Sequence, residues 1–121
     1  MVVTSLDGID EVTITDNTKV MELADNEIKS FEINPEDYGL SKAKLADIQV
    51  HSSEEAYLYG IEILNGKRGA GHDMVALNAG TALYLTGVAR TIAEGVAMAS
   101  KALLSGRSLL LLNKYAKFTQ Q

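Results

Sequence analysis

The chain contains no cysteine, only one proline and only two histidines among its 121 residues. Without cysteine it can form neither a disulfide nor a thiolate metal site, and it has no thiol nucleophile. Two histidines are too few for a zinc site built on several imidazoles. No stretch approaches the roughly 18 consecutive apolar residues of a membrane-spanning helix, and the first residues lack the basic start of a secretory signal. These absences predict a cytoplasmic protein with no membrane partner.

Acidic and basic residues are distributed unevenly along the chain. Residues 1–60 contain 13 acidic and 4 basic side chains, a net charge of −9, whereas residues 61–121 contain 3 acidic and 7 basic side chains, a net charge of +4. The basic residues of the second half stand singly, apart from Lys67-Arg68. No basic patch therefore matches a nucleic-acid backbone, and we expect no nucleic-acid partner. The simplest interpretation is an acidic strand region packed beside a basic helical region.

The first third of the chain alternates between apolar and polar residues, which is typical of half-buried strands. The pattern predicts strands at residues 11–15, 19–23 and 28–33, and residues 1–4 are a fourth candidate. Turn-forming residues, including Asp25-Asn26, separate these segments. We therefore expect an antiparallel β-meander.

From residue 52 onward the apolar residues recur at helical spacing. Ser52 with Glu55, and Thr91 with Glu94, fit the capping-box pattern of helix starts. Four helices are predicted, the second beginning near residue 72 and being apolar on nearly all sides. The expected organisation is a single partial domain with strands in residues 1–33, a linker at 34–51 and helices in 52–118. A short helix is possible near residues 42–47, and the fold class is α/β, locally α+β.

Three carboxylates, those of Asp7, Asp10 and Glu11, lie within five residues in a predicted loop. Gly8 permits a backbone turn there. The adjacent pair Asp10 and Glu11 could supply hard oxygen ligands to Mg²⁺, which commonly retains waters and adds substrate phosphates. A solvated acidic turn is the simpler interpretation of the spacing alone.

A glycine-rich basic segment, GKRGAGHD at residues 66–73, leads into the second predicted helix. A helix start favours anions, but the segment has neither the Walker nor the dinucleotide-binding pattern. A connector between helices is the simpler interpretation. His72 is expected to be a surface or capping residue, and Asn78 is expected to bond a backbone carbonyl.

Several segments together resemble the anthranilate phosphoribosyltransferase family. They are DGIDEV at residues 7–12, NPEDYGL at 34–40, HDMVALNA at 72–79, TIAEGV at 91–96 and the last helix at 112–118. They occur in the order found in the family and extend over essentially the whole chain. They resemble only the C-terminal portion of a family member, within the α/β domain of this nucleoside-phosphorylase-like fold.

The resemblance implies transfer of a phosphoribosyl group from phosphoribosyl pyrophosphate to anthranilate, in tryptophan biosynthesis. It matches the magnesium-binding pair of the family to Asp10 and Glu11, implies Mg²⁺ as the cofactor, and identifies no catalytic side chain in this chain. A homo-oligomer, or a complex with the missing N-terminal part, is expected by family analogy.

Some positions depart from the family pattern. Thr4-Ser5 replaces the usual His-Gly, and Ala70 and His72 replace the usual Pro and Arg. The glycine-rich Gly-Thr-Gly-Gly-Asp loop that holds pyrophosphate is absent. The chain could thus be a fragment, a split subunit or a relic, and we expect it to be inactive alone. The alternatives are a non-catalytic binding module and a related glycosyltransferase resembling pyrimidine nucleoside phosphorylases.

Overall fold

In the computed structural model, which describes residues 1–120, three strands precede four α-helices. The strands are β1 (Val2–Ser5), β2 (Thr18–Ala24) and β3 (Glu27–Ile33). The helices are α1 (Ser53–Leu64), α2 (Ala70–Leu85), α3 (Ile92–Leu104) and α4 (Arg107–Thr119). Two short 3-10 helices, Pro35–Tyr38 and Leu45–Asp47, lie between the sheet and α1.

The strands form one antiparallel sheet in the order β1-β2-β3. β2 and β3 make a tight hairpin whose turn residues, Asp25 and Asn26, have φ angles of 53° and 60°. Two consecutive positive φ values match the right-handed twist of the strands, and short polar residues tolerate them best. The predicted turn and the predicted strands at residues 19–23 and 28–33 are confirmed, and β1 confirms the candidate strand at the start of the chain.

One face of the sheet packs against α2 and α3 to form the main core. Its buried members are apolar side chains of the sheet, of the loop between β1 and β2 and of the two helices: Val12, Val20, Ile33, Leu77, Ile92 and Val96. A second cluster, comprising Ile63, Ala76, Ala99 and Leu103, holds α1 against α2 and α3. The other face of the sheet leaves Val2, Met21, Leu23 and Ile28 exposed.

The strand predicted at residues 11–15 is wrong: these residues form an ordered loop. Val12 and Ile14 are buried, as the alternating pattern indicates. However, the backbone of this segment bonds to side chains and, through the Ile14 carbonyl, to the Ala43 N–H at 3.0 Å, and not to a neighbouring strand. The Thr13 N–H, for example, donates to the Thr18 hydroxyl at 3.0 Å. A segment whose backbone groups are satisfied in this way needs no sheet partner.

The helical predictions hold with small differences. Around residues 42–47 only the 3-10 turn Leu45–Asp47 forms. α2 begins at residue 70, two residues before the predicted start, and exposes Val75 and Leu85. Ser52 and Thr91 cap α1 and α3 through their hydroxyls, as predicted. In each helix the predicted glutamate, Glu55 or Glu94, accepts a hydrogen bond from the backbone N–H of the residue before the cap, at 2.8 Å.

Within residues 1–120, no individual helix has both the length and the apolar composition that crossing a membrane requires. Only α3 and α4 taken together reach that length and composition, and they bend by 69° at their junction.

Candidate metal centre

A network of side-chain hydrogen bonds centred on Asp7 orders the acidic loop between β1 and β2. The Asp7 carboxylate accepts hydrogen bonds from the Thr13 hydroxyl at 2.7 Å and from the Thr15 hydroxyl. It also accepts from the Ile9 N–H at 3.1 Å, and the Ser5 hydroxyl donates to the Ile9 carbonyl. Asp7 therefore organises the loop, and its oxygens are already engaged within the protein.

The electrostatics of Asp7 agree with this structural role. Partial burial acts to raise the pKa of its carboxyl group, but hydrogen bonds from the Thr13 and Thr15 hydroxyls and the Ile9 N–H, together with the nearby Ser5 hydroxyl, outweigh it. The result is a pKa well below the ordinary value of 3.8. Hydrogen bonds donated to a carboxylate favour its charged form. Asp7 is accordingly ionised throughout the neutral and mildly acidic range.

A side chain from helix α2 holds the far end of the loop. The Asn78 amide accepts a hydrogen bond from the Val12 N–H at 3.1 Å and donates one to the Val12 carbonyl at 2.7 Å. It donates another to the Met74 carbonyl in its own helix, at 3.0 Å. The prediction that Asn78 bonds a backbone carbonyl is confirmed. Because Val12 directly follows Glu11, the hydrogen bonds from Asn78 also fix the position of the backbone next to the acidic pair.

Asp10 and Glu11 lie between these two anchors, and both side chains are exposed. In the part of the chain that the structure describes, neither carboxylate takes part in a hydrogen bond or an ion pair. Glu11 also lines a cavity of about 390 Å³ with Met74 and Asn78. Two free carboxylates on an ordered loop are a donor set that suits Mg²⁺, which prefers oxygen ligands.

The pair is nevertheless incomplete as a metal site. Among residues 1–120, no group of three or more His, Asp or Glu side chains is arranged to enclose a metal ion. Mg²⁺ commonly retains several waters and is completed by substrate phosphates. Asp10 and Glu11 would therefore hold such an ion only together with oxygens from other groups.

His72 differs from its prediction, because it is buried and not at the surface, with 2% of its side chain exposed. Its Nδ1 lies 2.9 Å from a carboxylate oxygen of Asp73, and its Nε2 lies 3.4 Å from the Ser100 hydroxyl. Successive residues of a helix seldom face each other, and Ser100 comes from α3. The sequence therefore offered no sign of either partner. This histidine joins α2 to α3.

Comparisons with known proteins agree with this architecture. A model of the glycosyl transferase family, a/b domain, matches residues 1–109. Anthranilate phosphoribosyltransferases of Xylella fastidiosa (strain M23) and Burkholderia mallei (strain SAVP1) are each 40% identical over all 121 residues, which correspond to 35% of each relative. The chain spans about a third of the length of these curated relatives.

Solved structures of anthranilate phosphoribosyltransferases have a similar fold over nearly the whole of this chain. The anthranilate phosphoribosyltransferase of Thermus thermophilus superposes with a TM-score of 0.90 at 32% identity, covering 98% of this chain and 35% of that one. The Saccharomyces cerevisiae enzyme in complex with PRPP and Mg superposes with a TM-score of 0.76 at 26% identity, covering 92% and 32%. These similarities confirm the α/β fold class and the resemblance found in the sequence. Because the match extends over residues 1–109, the chain belongs to the glycosyl transferase family and corresponds to its a/b domain.

Proposed function

We propose that these residues supply the magnesium-binding part of an anthranilate phosphoribosyltransferase. In the proposed reaction the amino nitrogen of anthranilate forms a bond to C1 of the ribose. The bond from C1 to the pyrophosphate oxygen breaks, and pyrophosphate leaves with the bonding electron pair. The nitrogen loses a proton as the product forms.

One observation supports this proposal above the others: Asp10 and Glu11 are free and exposed on a loop whose two ends are anchored by Asp7 and Asn78. An ordered loop holds charges where a substrate will need them and requires little reorganisation on binding. Mg²⁺, held by Asp10 and Glu11 together with phosphate oxygens, would offset the charge of the departing pyrophosphate. The two carboxylates therefore position charge and are not proposed to transfer protons.

The rest of the reaction requires groups outside this set of residues. The 121 residues contain no Gly-Thr-Gly-Gly-Asp segment to hold pyrophosphate with backbone N–H groups. We therefore propose that phosphoribosyl pyrophosphate and anthranilate bind an assembly in which these residues are one part. That assembly would supply the two-thirds of the relatives that these residues do not match, and we propose that it lies in the cytoplasm as a complex or a higher oligomer containing that part.

A graft tests the proposal directly. These 121 residues would replace the similar third of the Thermus thermophilus enzyme, and activity would be followed as loss of anthranilate fluorescence. We expect the graft to be active and to depend on Mg²⁺. Asp10→Ala combined with Glu11→Ala should lower its rate by about two orders of magnitude or more, the range typical of lost electrostatic stabilisation.

The matched control is Glu27→Ala combined with Glu36→Ala, which removes two exposed carboxylates away from the acidic loop. This control should retain the rate and the Mg²⁺ dependence of the graft. Unchanged activity and unchanged Mg²⁺ dependence in the Asp10 and Glu11 double variant would refute the metal role. A folded graft without any turnover would refute the proposed activity.

A further inference from the structure

Thr13 presents a buried hydroxyl to the acidic loop. The residue is fully enclosed, with 0% of its surface exposed, and its hydroxyl donates to one oxygen of the Asp7 carboxylate at 2.7 Å. The other oxygen of Asp7 accepts from the Ile9 N–H at 3.1 Å. A single carboxylate therefore joins the residue before Asp10 to a residue that follows Glu11.

These two hydrogen bonds close a small ring around the acidic pair. The ring runs from Ile9 to Thr13, and the acidic pair makes up two of the three residues between its ends. Both ends are bound to the same side chain, so the backbone between them has few conformations available. Restricting the free protein in this way lowers the entropy that must be lost when a ligand binds.

Thr13 also fixes one end of the ring against the sheet. Its N–H donates to the hydroxyl of Thr18 at 3.0 Å, and Thr18 is the fully buried first residue of β2. The Thr13 hydroxyl, besides donating to Asp7, accepts from the Thr15 N–H at 3.0 Å. Thr13 is thus bonded on one side to the sheet and on the other to the carboxylate that closes the ring.

From these contacts we infer that Thr13 is a positioning residue for the proposed metal ion: through Asp7, its hydroxyl holds Asp10 and Glu11 in the arrangement that receives a divalent cation. The inference rests on the proposed function, because it concerns the affinity of the same acidic pair. Thr13 itself is buried and would not touch the ion. Groups that orient metal ligands without touching the metal commonly change its affinity by about 10–100-fold.

The Thr13 hydroxyl also limits the ability of Asp7 to compete for the ion. One oxygen of Asp7 accepts from the hydroxyls of Thr13 and Thr15, and the other accepts from the Ile9 N–H. A carboxylate that already accepts on both oxygens has fewer lone pairs left for a metal. Of the three carboxylates in the loop, Asp7 therefore orders the backbone and leaves the ion to Asp10 and Glu11.

Manganese binding to the purified 121-residue chain tests this inference. Mn²⁺ takes the same oxygen ligands as Mg²⁺ and broadens the NMR signals of nearby nuclei, so a titration of the Asp10 and Glu11 amide signals gives its dissociation constant. Thr13→Val removes the hydroxyl with little change in side-chain shape, and the dissociation constant should rise about tenfold. Thr13→Ser retains the hydroxyl and should bind Mn²⁺ as tightly as the parent chain.

The matched control is Thr81→Val, the same substitution at another buried threonine. Thr81 is 6% exposed, and its hydroxyl donates to the Leu77 carbonyl of its own helix at 2.9 Å. This variant loses a buried hydrogen bond that is not part of the acidic loop, so it should bind Mn²⁺ as the parent chain does. Thermal unfolding of every variant separates a loss of stability from a loss of positioning.

The graft described above gives a second measurement. There, Thr13→Val should raise the Mg²⁺ concentration for half-maximal activity about tenfold. It should leave kcat at saturating Mg²⁺ nearly unchanged, because excess ion fills a weakened site. Thr81→Val should change neither quantity.

Several results would overturn the inference. A folded Thr13→Val chain that binds Mn²⁺ as tightly as the parent would show that the hydroxyl does not position the pair, and tighter binding would show that Asp7, once released, joins the ion. Weaker binding by Thr13→Ser would assign the effect to the methyl group, even if Thr13→Val did not fold.

The Asp10 and Glu11 double variant of the graft distinguishes failure of this inference from failure of the proposed function. If the double variant loses its Mg²⁺-dependent activity while Thr13→Val has no effect, the metal role stands and the role of Thr13 is refuted. If the double variant keeps its rate and its Mg²⁺ dependence, both are refuted.

Discussion

Gly80 of α2 and Gly95 of α3 face each other where the two helices cross. A Cβ atom placed on Gly95 would lie 2.2 Å from the Gly80 carbonyl oxygen, and one placed on Gly80 would lie 2.4 Å from the Val96 nitrogen. Cβ atoms in proteins do not approach backbone atoms so closely. The absence of side chains at this pair therefore allows the two backbones to meet.

Gly95→Ala should force α2 and α3 apart and destabilise the fold. Overpacking of a core typically costs about 1–3 kcal/mol and occasionally more, and a clash with backbone atoms places this variant at the upper end. The measurement is the free energy of unfolding from urea titration. Gly60→Ala in α1 is the control, because its Cβ would meet nothing within 4 Å. It should stabilise the helix by about 0.5–1 kcal/mol; equal effects of the two variants would contradict the close approach.

Asn78→Ala should loosen the loop that carries the acidic pair. The substitution removes both hydrogen bonds to Val12, and leaving partly buried polar groups unpaired costs about 1–3 kcal/mol. Hydrogen exchange at the Val12 amide should accelerate more than exchange in the hairpin of β2 and β3. Thr86→Ala, which removes an exposed hydroxyl bonded only within its own helix, should change stability by less than about 0.5 kcal/mol. Unchanged exchange at Val12 would show that Asn78 does not hold the loop.

The low pKa of Asp7 predicts a specific dependence of stability on pH. The folded protein keeps Asp7 ionised below pH 3.8, whereas the unfolded chain takes up a proton near that value. The stability contributed by Asp7 is thus fully present above pH 3.8 and is lost as the pH falls further. Urea titrations between about pH 5 and pH 2 should show a weaker decline for Asp7→Asn than for the parent chain. Glu27→Gln, which removes a carboxylate outside the loop, is the control, and an identical decline in all three proteins would contradict the assignment.

Tyr84→Phe should leave a buried carboxylate without its partner. The Tyr84 hydroxyl donates to Glu22 at 3.1 Å, and only 8% of Glu22 is exposed. This hydrogen bond, with burial and the charge of Glu22, raises the pKa of Tyr84. Its loss should lower the free energy of unfolding by about 1–3 kcal/mol.

Adding Glu22→Gln to Tyr84→Phe should recover part of that loss, since no buried charge then remains unpaired. Tyr57→Phe, which removes an exposed hydroxyl, should have little effect on the free energy of unfolding. If the double variant were no more stable than Tyr84→Phe alone, the contact between Tyr84 and Glu22 would contribute through packing and not through the carboxylate.

Features that depend on neighbouring residues could be read from the sequence. The Asp25-Asn26 turn needs only two residues that tolerate positive φ, and the hydroxyls of the caps at Ser52 and Thr91 accept from backbone N–H groups three residues away. The family segments likewise pointed to Asp10 and Glu11, whose exposure agrees with a metal role that remains a prediction. Such local signals carry their physical cause within a few residues.

Features that depend on distant partners could not be read in the same way. The loop at residues 11–15 alternates like a strand, and only its bonds to Asn78 and Thr18 explain why it is not one. His72 is buried because Ser100 and Asp73 satisfy its ring nitrogens, and α3 supplies the former. The different role of Asp7 among the three carboxylates arises from hydroxyls that the folded loop brings together. Nothing in the spacing of these residues distinguishes such partners in advance.

The hydrogen bonds between Asn78 and Val12 also bear on the order of folding. They join residues 66 positions apart, so they close a long loop whose entropic cost must be met before they form. The hairpin of β2 and β3 and the individual helices need only local contacts and can form sooner. The acidic pair should therefore reach its final position late, once α2 has docked on the sheet. A nascent or partly unfolded chain would carry both carboxylates and still lack the arrangement proposed to receive the ion.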